Sequence, residues 1–93
     1  MSDEEKIRRR VVAHGRVQGV FFRDTVSSEA TSRGVAGWVA NRDDGTVEAV
    51  FEGDRGAVEA MVELCGSGPK SADVAKLQAG EEEPEGLSGF EVR

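Results

Sequence analysis

The sequence predicts an α+β protein in the ferredoxin-like βαββαβ order, an antiparallel sheet with two helices on one face. Three observations lead there. Alternating apolar residues mark strands near the start and middle of the chain, two stretches repeat apolar residues at helical spacing, and Gly, Asp and Pro clusters separate them. With 93 residues the chain has room for one domain, 1–93, and a modest core, because so short a chain buries only about 60% of its unfolded surface.

Residues 1–6, "MSDEEK", read as a disordered acidic tip. In Ile7 to His14 the alternation of Ile7, Arg9, Val11 and Ala13 marks a strand, with Val12 and His14 on its other face, as in a sheet covered on one side. Phe22, Val26 and Ala30 recur at helical spacing and Gly34 supplies a stop just past Arg33, so Phe22 to Arg33 is a helix. "VAGWVAN", "RDDG" and "TVEAVFE" form a hairpin, since Asp44-Gly45 supplies the positive φ of a tight turn. Asp54 stands where it can cap a second helix, striped by Val58, Met61, Val62 and Cys65 and ended by "GSGP". Val74 and Leu77 mark a fourth strand, "EEEPEG" reads as a solvated acidic loop, and Phe90 and Val92 share one side of a short closing strand. Strand, helix, hairpin, helix and strand in that order make a split βαβ arrangement. It sets the loop between the first strand and first helix at one end of the sheet, beside Asn41 at the end of the second strand.

Composition excludes several roles. A net charge of −6 argues against nucleic-acid binding, which draws its affinity from basic patches on phosphates. Four Phe, one Trp and no Tyr also leave too few aromatics for the base-stacking sheet of an RNA-recognition module. No apolar run approaches a membrane span, and the charged start "MSDEEKIRRR" lacks the features of a secretory leader, so a cytoplasmic location is expected. One cysteine, Cys65, and one histidine, His14, permit neither an internal disulfide nor a Cys/His metal site. Nine arginines and three lysines against 18 acids suit either a salt-rich cytoplasm or an ordinary acidic surface.

The stretch "GRVQGVFFR", Gly15 to Arg23, concentrates chemistry. Gly15 and Gly19 permit a bend in which main-chain N–H groups converge, and the following helix adds its unpaired first-turn donors and the positive end of its dipole. Such a cup binds an anion; Arg23 can grip a phosphate with two parallel bonds, and Arg16 adds attraction at the rim. The pattern is neither a Walker loop nor a dinucleotide-binding glycine motif. On spacing alone, a plain bend with Phe21 or Phe22 in the core and a solvated Arg23 accounts for it as well.

"GRVQGVFFR", "GVAGWVANRDDGTVE" from Gly34 to Glu48 and "GSGPKSADV" from Gly66 to Val74 resemble the acylphosphatase family in order and spacing across nearly the whole chain. The resemblance implies a small monomeric enzyme with no metal or organic cofactor that hydrolyses carboxylic-phosphoric anhydrides to a carboxylate and inorganic phosphate. It also implies that Arg23 binds the phosphate and Asn41 holds the attacking water. The phosphate-binding loop is then Gly15, Arg16, Val17, Gln18, Gly19, Val20, Phe21 and Phe22. Thr46, just after Asp44-Gly45, stands where it could support a water near Asn41, although β-propensity alone also accounts for a threonine in a strand. Trp38 is a core or sheet-face residue that could also flank an acyl group. "GEEEPEGLSG" and the first six residues match nothing specific in the family. A non-catalytic module that merely holds an anion is the alternative, and Asn41 is what it would not need.

Overall fold

A computed structural model describes residues 5–93. Strand β1 (Lys6–Arg16) leads into helix α1 (Phe22–Ser32); β2 (Ala36–Asn41) and β3 (Val47–Asp54) form a hairpin; helix α2 (Arg55–Ser67), β4 (Asp73–Glu82) and β5 (Phe90–Val92) follow. The sheet order is β4-β1-β3-β2-β5, the ferredoxin-like arrangement. β1, β3, β4 and the β2–β3 pair run antiparallel, whereas β5 lies parallel to β2. The sheet is therefore mixed, not wholly antiparallel. The cause is the route of residues 83–89, which carry the chain from one edge of the sheet to the other and deliver β5 in the direction of β2.

Alternation along the strands sorts the side chains. Ile7, Val11 and Ala13 of β1, Val47, Ala49 and Phe51 of β3 and Val39 of β2 meet Phe22, Val26 and Ala30 of α1 and Val58, Met61 and Cys65 of α2 in one core. Removing these surfaces from water at about 25 cal/mol per Å² drives the helices onto this face. Gly37 stands in register between Phe51 and Phe90. Having no side chain, it lets the two rings stack across it with centroids 5.8 Å apart; a Cβ there would fall 1.8 Å from the Val50 carbonyl oxygen.

Several boundaries move. α1 ends at Ser32, with Arg33 as its C-cap and Gly34 in the left-handed region. β1 runs past His14 to Arg16, because Gly15 and Arg16 still pair with Val74 and Asp73 beyond a bulge. At its other end β1 includes Lys6, and Glu5 pairs with Arg55. The expected disordered tip does not reach these two, and residues 1–4 lie outside the described residues. Asp54 occupies the N-cap position of α2 without a side-chain cap bond, and its carboxylate pairs with Lys6 instead. Glu81 and Glu82, expected in a solvated loop, belong to β4.

Candidate active site

At the end of the sheet where β1 finishes and β2 meets its hairpin, residues 17–21 turn the chain into α1. Val17 and Phe22 (2% exposed) anchor the turn in the core, while Phe21 between them is 75% exposed. Gly19 (φ 71°) and Phe21 (φ 62°, ψ 21°) both take the left-handed conformation. Turns of this kind direct neighbouring N–H groups into one concavity. The first hydrogen bond of α1 runs from the Thr25 N–H to the Phe21 carbonyl at 3.1 Å, and no side chain caps the helix. The N–H groups of Phe22, Arg23 and Asp24 therefore have no helical acceptor, at the positive end of the dipole.

These donors border a cavity of about 270 Å³ lined by Val17, Gly19, Phe21, Phe22, Arg23, Asp24 and Asn41. That volume lies just under the roughly 300–1,000 Å³ of ordinary small-ligand pockets. It suits a small anion with a substituent. The Arg23 Nη1 donates to the main-chain oxygen of Arg93 at 2.8 Å. Asn41 ends β2 opposite Val47 and is exposed.

Side-chain bonds brace the cavity from outside. The Gln18 Nε2 donates to the carbonyls of Arg42 (2.8 Å) and Thr46 (2.9 Å), tying the loop to the hairpin that carries Asn41. The Ser71 hydroxyl donates to the Val20 carbonyl at 2.6 Å. Thr46 is buried, and its hydroxyl and N–H both donate to the Asp44 carboxylate at 2.6 and 3.1 Å. Those two bonds hold the Asp44 carboxyl below its usual range. Thr46 thus donates its hydroxyl proton to the turn, bracing the hairpin, and is not among the residues lining the cavity.

Of the residues expected in the cradle, Val17, Gly19, Phe21, Phe22 and Arg23 line the cavity together with Asn41. Gln18 and Val20 support it through the bonds above. Gly15 and Arg16 do not line it. Gly15 belongs to β1, where a Cβ would stand 2.3 Å from the Asp73 carbonyl oxygen, so glycine is needed there for close passage of β4. Arg16 turns to the Ser71 carbonyl at 3.4 Å. Two neighbours of the cavity carry little local signal in the sequence: Asp24, marked only by its place beside Arg23, and the main-chain oxygen of Arg93, which nothing nearby marks. Trp38 lies on the helix-free face with the guanidiniums of Arg10 and Arg93 at 5.7 and 4.6 Å from its ring centroid, away from the cavity.

The charges around the cavity differ from those elsewhere. Among the described residues, Arg8, Arg9, Arg10, Arg33, Arg55 and Arg93 each have a carboxylate within 4 Å. Arg16, Arg23 and Arg42 have no side-chain carboxylate there among the described residues, and all three stand at the cavity end of the sheet. His14 bonds Gln78 on the helix-free face at 2.7 Å, and burial pushes the Cys65 thiol up to about 12. Neither residue touches the cavity.

The family model described as acylphosphatase matches residues 9–92. An acylphosphatase of Haloarcula marismortui is 54% identical over 92% of this chain and 94% of its own length. An acylphosphatase of Natronomonas pharaonis is 50% identical over 100% of this chain and 99% of its own. The crystal structure of acylphosphatase from Bacillus subtilis superposes with a TM-score of 0.88 at 40% identity, covering 94% of this chain and 98% of that one. With the family model spanning nearly the whole sequence and relatives half identical over their full length, this chain belongs to the acylphosphatase family.

Proposed function

We propose that the cavity hydrolyses acyl phosphates to a carboxylate and inorganic phosphate, with Arg23 and the loop amides binding the phosphoryl group and Asn41 aiming the attacking water. The observation that carries this reading is the meeting of an arginine with no side-chain carboxylate within 4 Å among the described residues, an uncapped helix start and an exposed carboxamide at one cavity. A carboxylate leaves a phosphoryl group without needing a proton, so the site requires no general acid. It requires a fixed phosphoryl group, neutralised equatorial oxygens and a water in line.

Arg23 and the N–H groups of Phe22 and Asp24 meet the phosphoryl oxygens. The Asn41 Oδ1 accepts a hydrogen bond from water and points its oxygen at phosphorus. The water O–P bond forms as the carboxylate O–P bond breaks, and a water proton passes to a phosphoryl oxygen, leaving a carboxylate and dihydrogen phosphate. An amide is too weak a base for more than positioning, so the substrate itself takes the proton. No metal or organic cofactor is needed. We read the chain as one catalytic domain, a cytoplasmic monomer whose partners are acyl phosphate and phosphate, with no nucleic acid and no membrane.

Benzoyl phosphate tests the reading directly, since its hydrolysis lowers ultraviolet absorbance. Turnover well above the uncatalysed rate is expected. Protein that binds phosphate yet shows only the background rate is instead an anion-holding module.

A further inference from the structure

Phe21 is a large apolar side chain that folding does not use. Of the four phenylalanines, Phe22 and Phe51 are buried and Phe90 is half-buried against the core, whereas Phe21 is 75% exposed. Its backbone is left-handed (φ 62°), a conformation that non-glycine residues adopt rarely and that clusters at functional sites. The consequence is geometric. Two consecutive phenylalanines go to opposite places, Phe22 into the core and Phe21 to the cavity rim.

The remaining walls explain what the ring is for. Val17 and Phe22 line the cavity but are buried, and Arg23, Asp24 and Asn41 are polar, so Phe21 is the exposed apolar wall. Trp38, the other aromatic that could flank a substrate, faces away from the cavity. With phosphate held at the helix start and water arriving from Asn41, in-line geometry sends the acyl group outward past the rim. From these positions we infer that the Phe21 ring is the acyl-group subsite. It favours aryl and branched-alkyl acyl phosphates, which can cover the ring, over acetyl or carbamoyl phosphate, which cannot. The inference rests on the hydrolase reading above.

The test is the ratio of kcat/KM for benzoyl phosphate to that for acetyl phosphate, in the unsubstituted protein and in Phe21→Ala, Phe21→Leu and Phe21→Tyr. Both substrates carry the same phosphoryl group, so any disturbance of the cradle divides out of the ratio. Losing the ring should lower the ratio about tenfold in Phe21→Ala, an amount typical of apolar discrimination. Phe21→Leu should fall between, and Phe21→Tyr should keep the ratio. An unchanged ratio in Phe21→Ala overturns the inference while leaving the hydrolase intact. Failure of the unsubstituted protein to turn over either substrate overturns the hydrolase reading, and this inference with it.

Discussion

The two ends of the sheet treat their arginines in opposite ways. At the end away from the cavity, Arg8 is 4% exposed and meets the carboxylates of Glu52 (3.1 Å), Glu82 (2.9 Å) and Glu85 (3.7 Å). Glu52, 5% exposed, also accepts the N–H groups of Glu85, Gly86 and Leu87 at 2.7–2.9 Å, which fastens the crossing segment between β4 and β5 to the sheet. At the cavity end, Arg23 meets only a main-chain oxygen. A guanidinium surrounded by carboxylates is structural, because its charge is already answered. One with no side-chain carboxylate beside it keeps donors available for an incoming anion. Eight of the 18 acids, Glu5, Glu29, Glu48, Glu52, Glu59, Glu82, Glu85 and Glu91, pair with the other arginines, so the charge of −6 is not spread evenly over the surface.

The largest effects that would sharpen this contrast lie at the cavity. Arg23→Ala should lower kcat/KM for benzoyl phosphate by on the order of a thousandfold, the range seen when a donor to developing charge is lost, and Asn41→Ala should lower kcat by about a hundredfold or more, the cost of a misplaced nucleophile. Both should unfold in urea close to the unsubstituted midpoint; a large midpoint shift would make these residues structural. Arg8→Ala should do the reverse. Stripping a buried carboxylate of its partner costs about 3 kcal/mol, read from urea unfolding, with the KM of the folded enzyme unchanged. Loss of phosphate affinity in that variant would break the division between the two ends.

Acid should loosen the far end next. Burial opposes ionisation of Glu52, but the N–H groups of Glu85 and Leu87 and the Arg8 guanidinium outweigh it and hold the carboxyl below its usual range. Hydrogen bonds from Arg10 and Arg8 bring Glu82 from 4.5 to about 2. A depressed folded-state value contributes stability above the unfolded value and loses it as pH falls through the folded one. Stability should therefore decline between pH 4.5 and about 2, and Glu82→Gln should flatten that decline. A profile identical in the variant would remove Glu82 from the clasp. Smallest is the effect of salt: Arg16 and Arg42 are exposed at the cavity end of the sheet and have no carboxylate within 4 Å among the described residues, so KM for acyl phosphates should rise a few-fold from about 0.05 to 0.5 M NaCl. A flat response would mean the two arginines do not attract substrate.

How far the chain could be read in advance follows from the range of each interaction. α1 and the hairpin turn depend on signals within a few residues, the Phe22, Val26, Ala30 spacing and Asp44-Gly45, and both were found in place. The cavity-lining set was readable through Arg23 and Asn41 only with the family resemblance, since spacing alone fits a plain bend equally well. Gly15 stands outside the cavity lining, and its close passage of β4 cannot be seen from β1 alone. The acidic "EEEPEG" looked solvated because its partners, Arg8 and Arg10, lie more than 70 residues earlier and meet it only through strand register. The parallel placement of β5 depends likewise on Phe51, Gly37 and Phe90 falling in one row.

Phosphate affinity in the two cavity variants tests the division of labour most directly, measured as competitive inhibition where turnover persists and by calorimetry otherwise. Arg23→Ala should lose phosphate binding, and Asn41→Ala should bind phosphate as the unsubstituted protein does while its turnover is gone. Equal loss of phosphate affinity in both would contradict the assignment of Arg23 to the anion and Asn41 to the water.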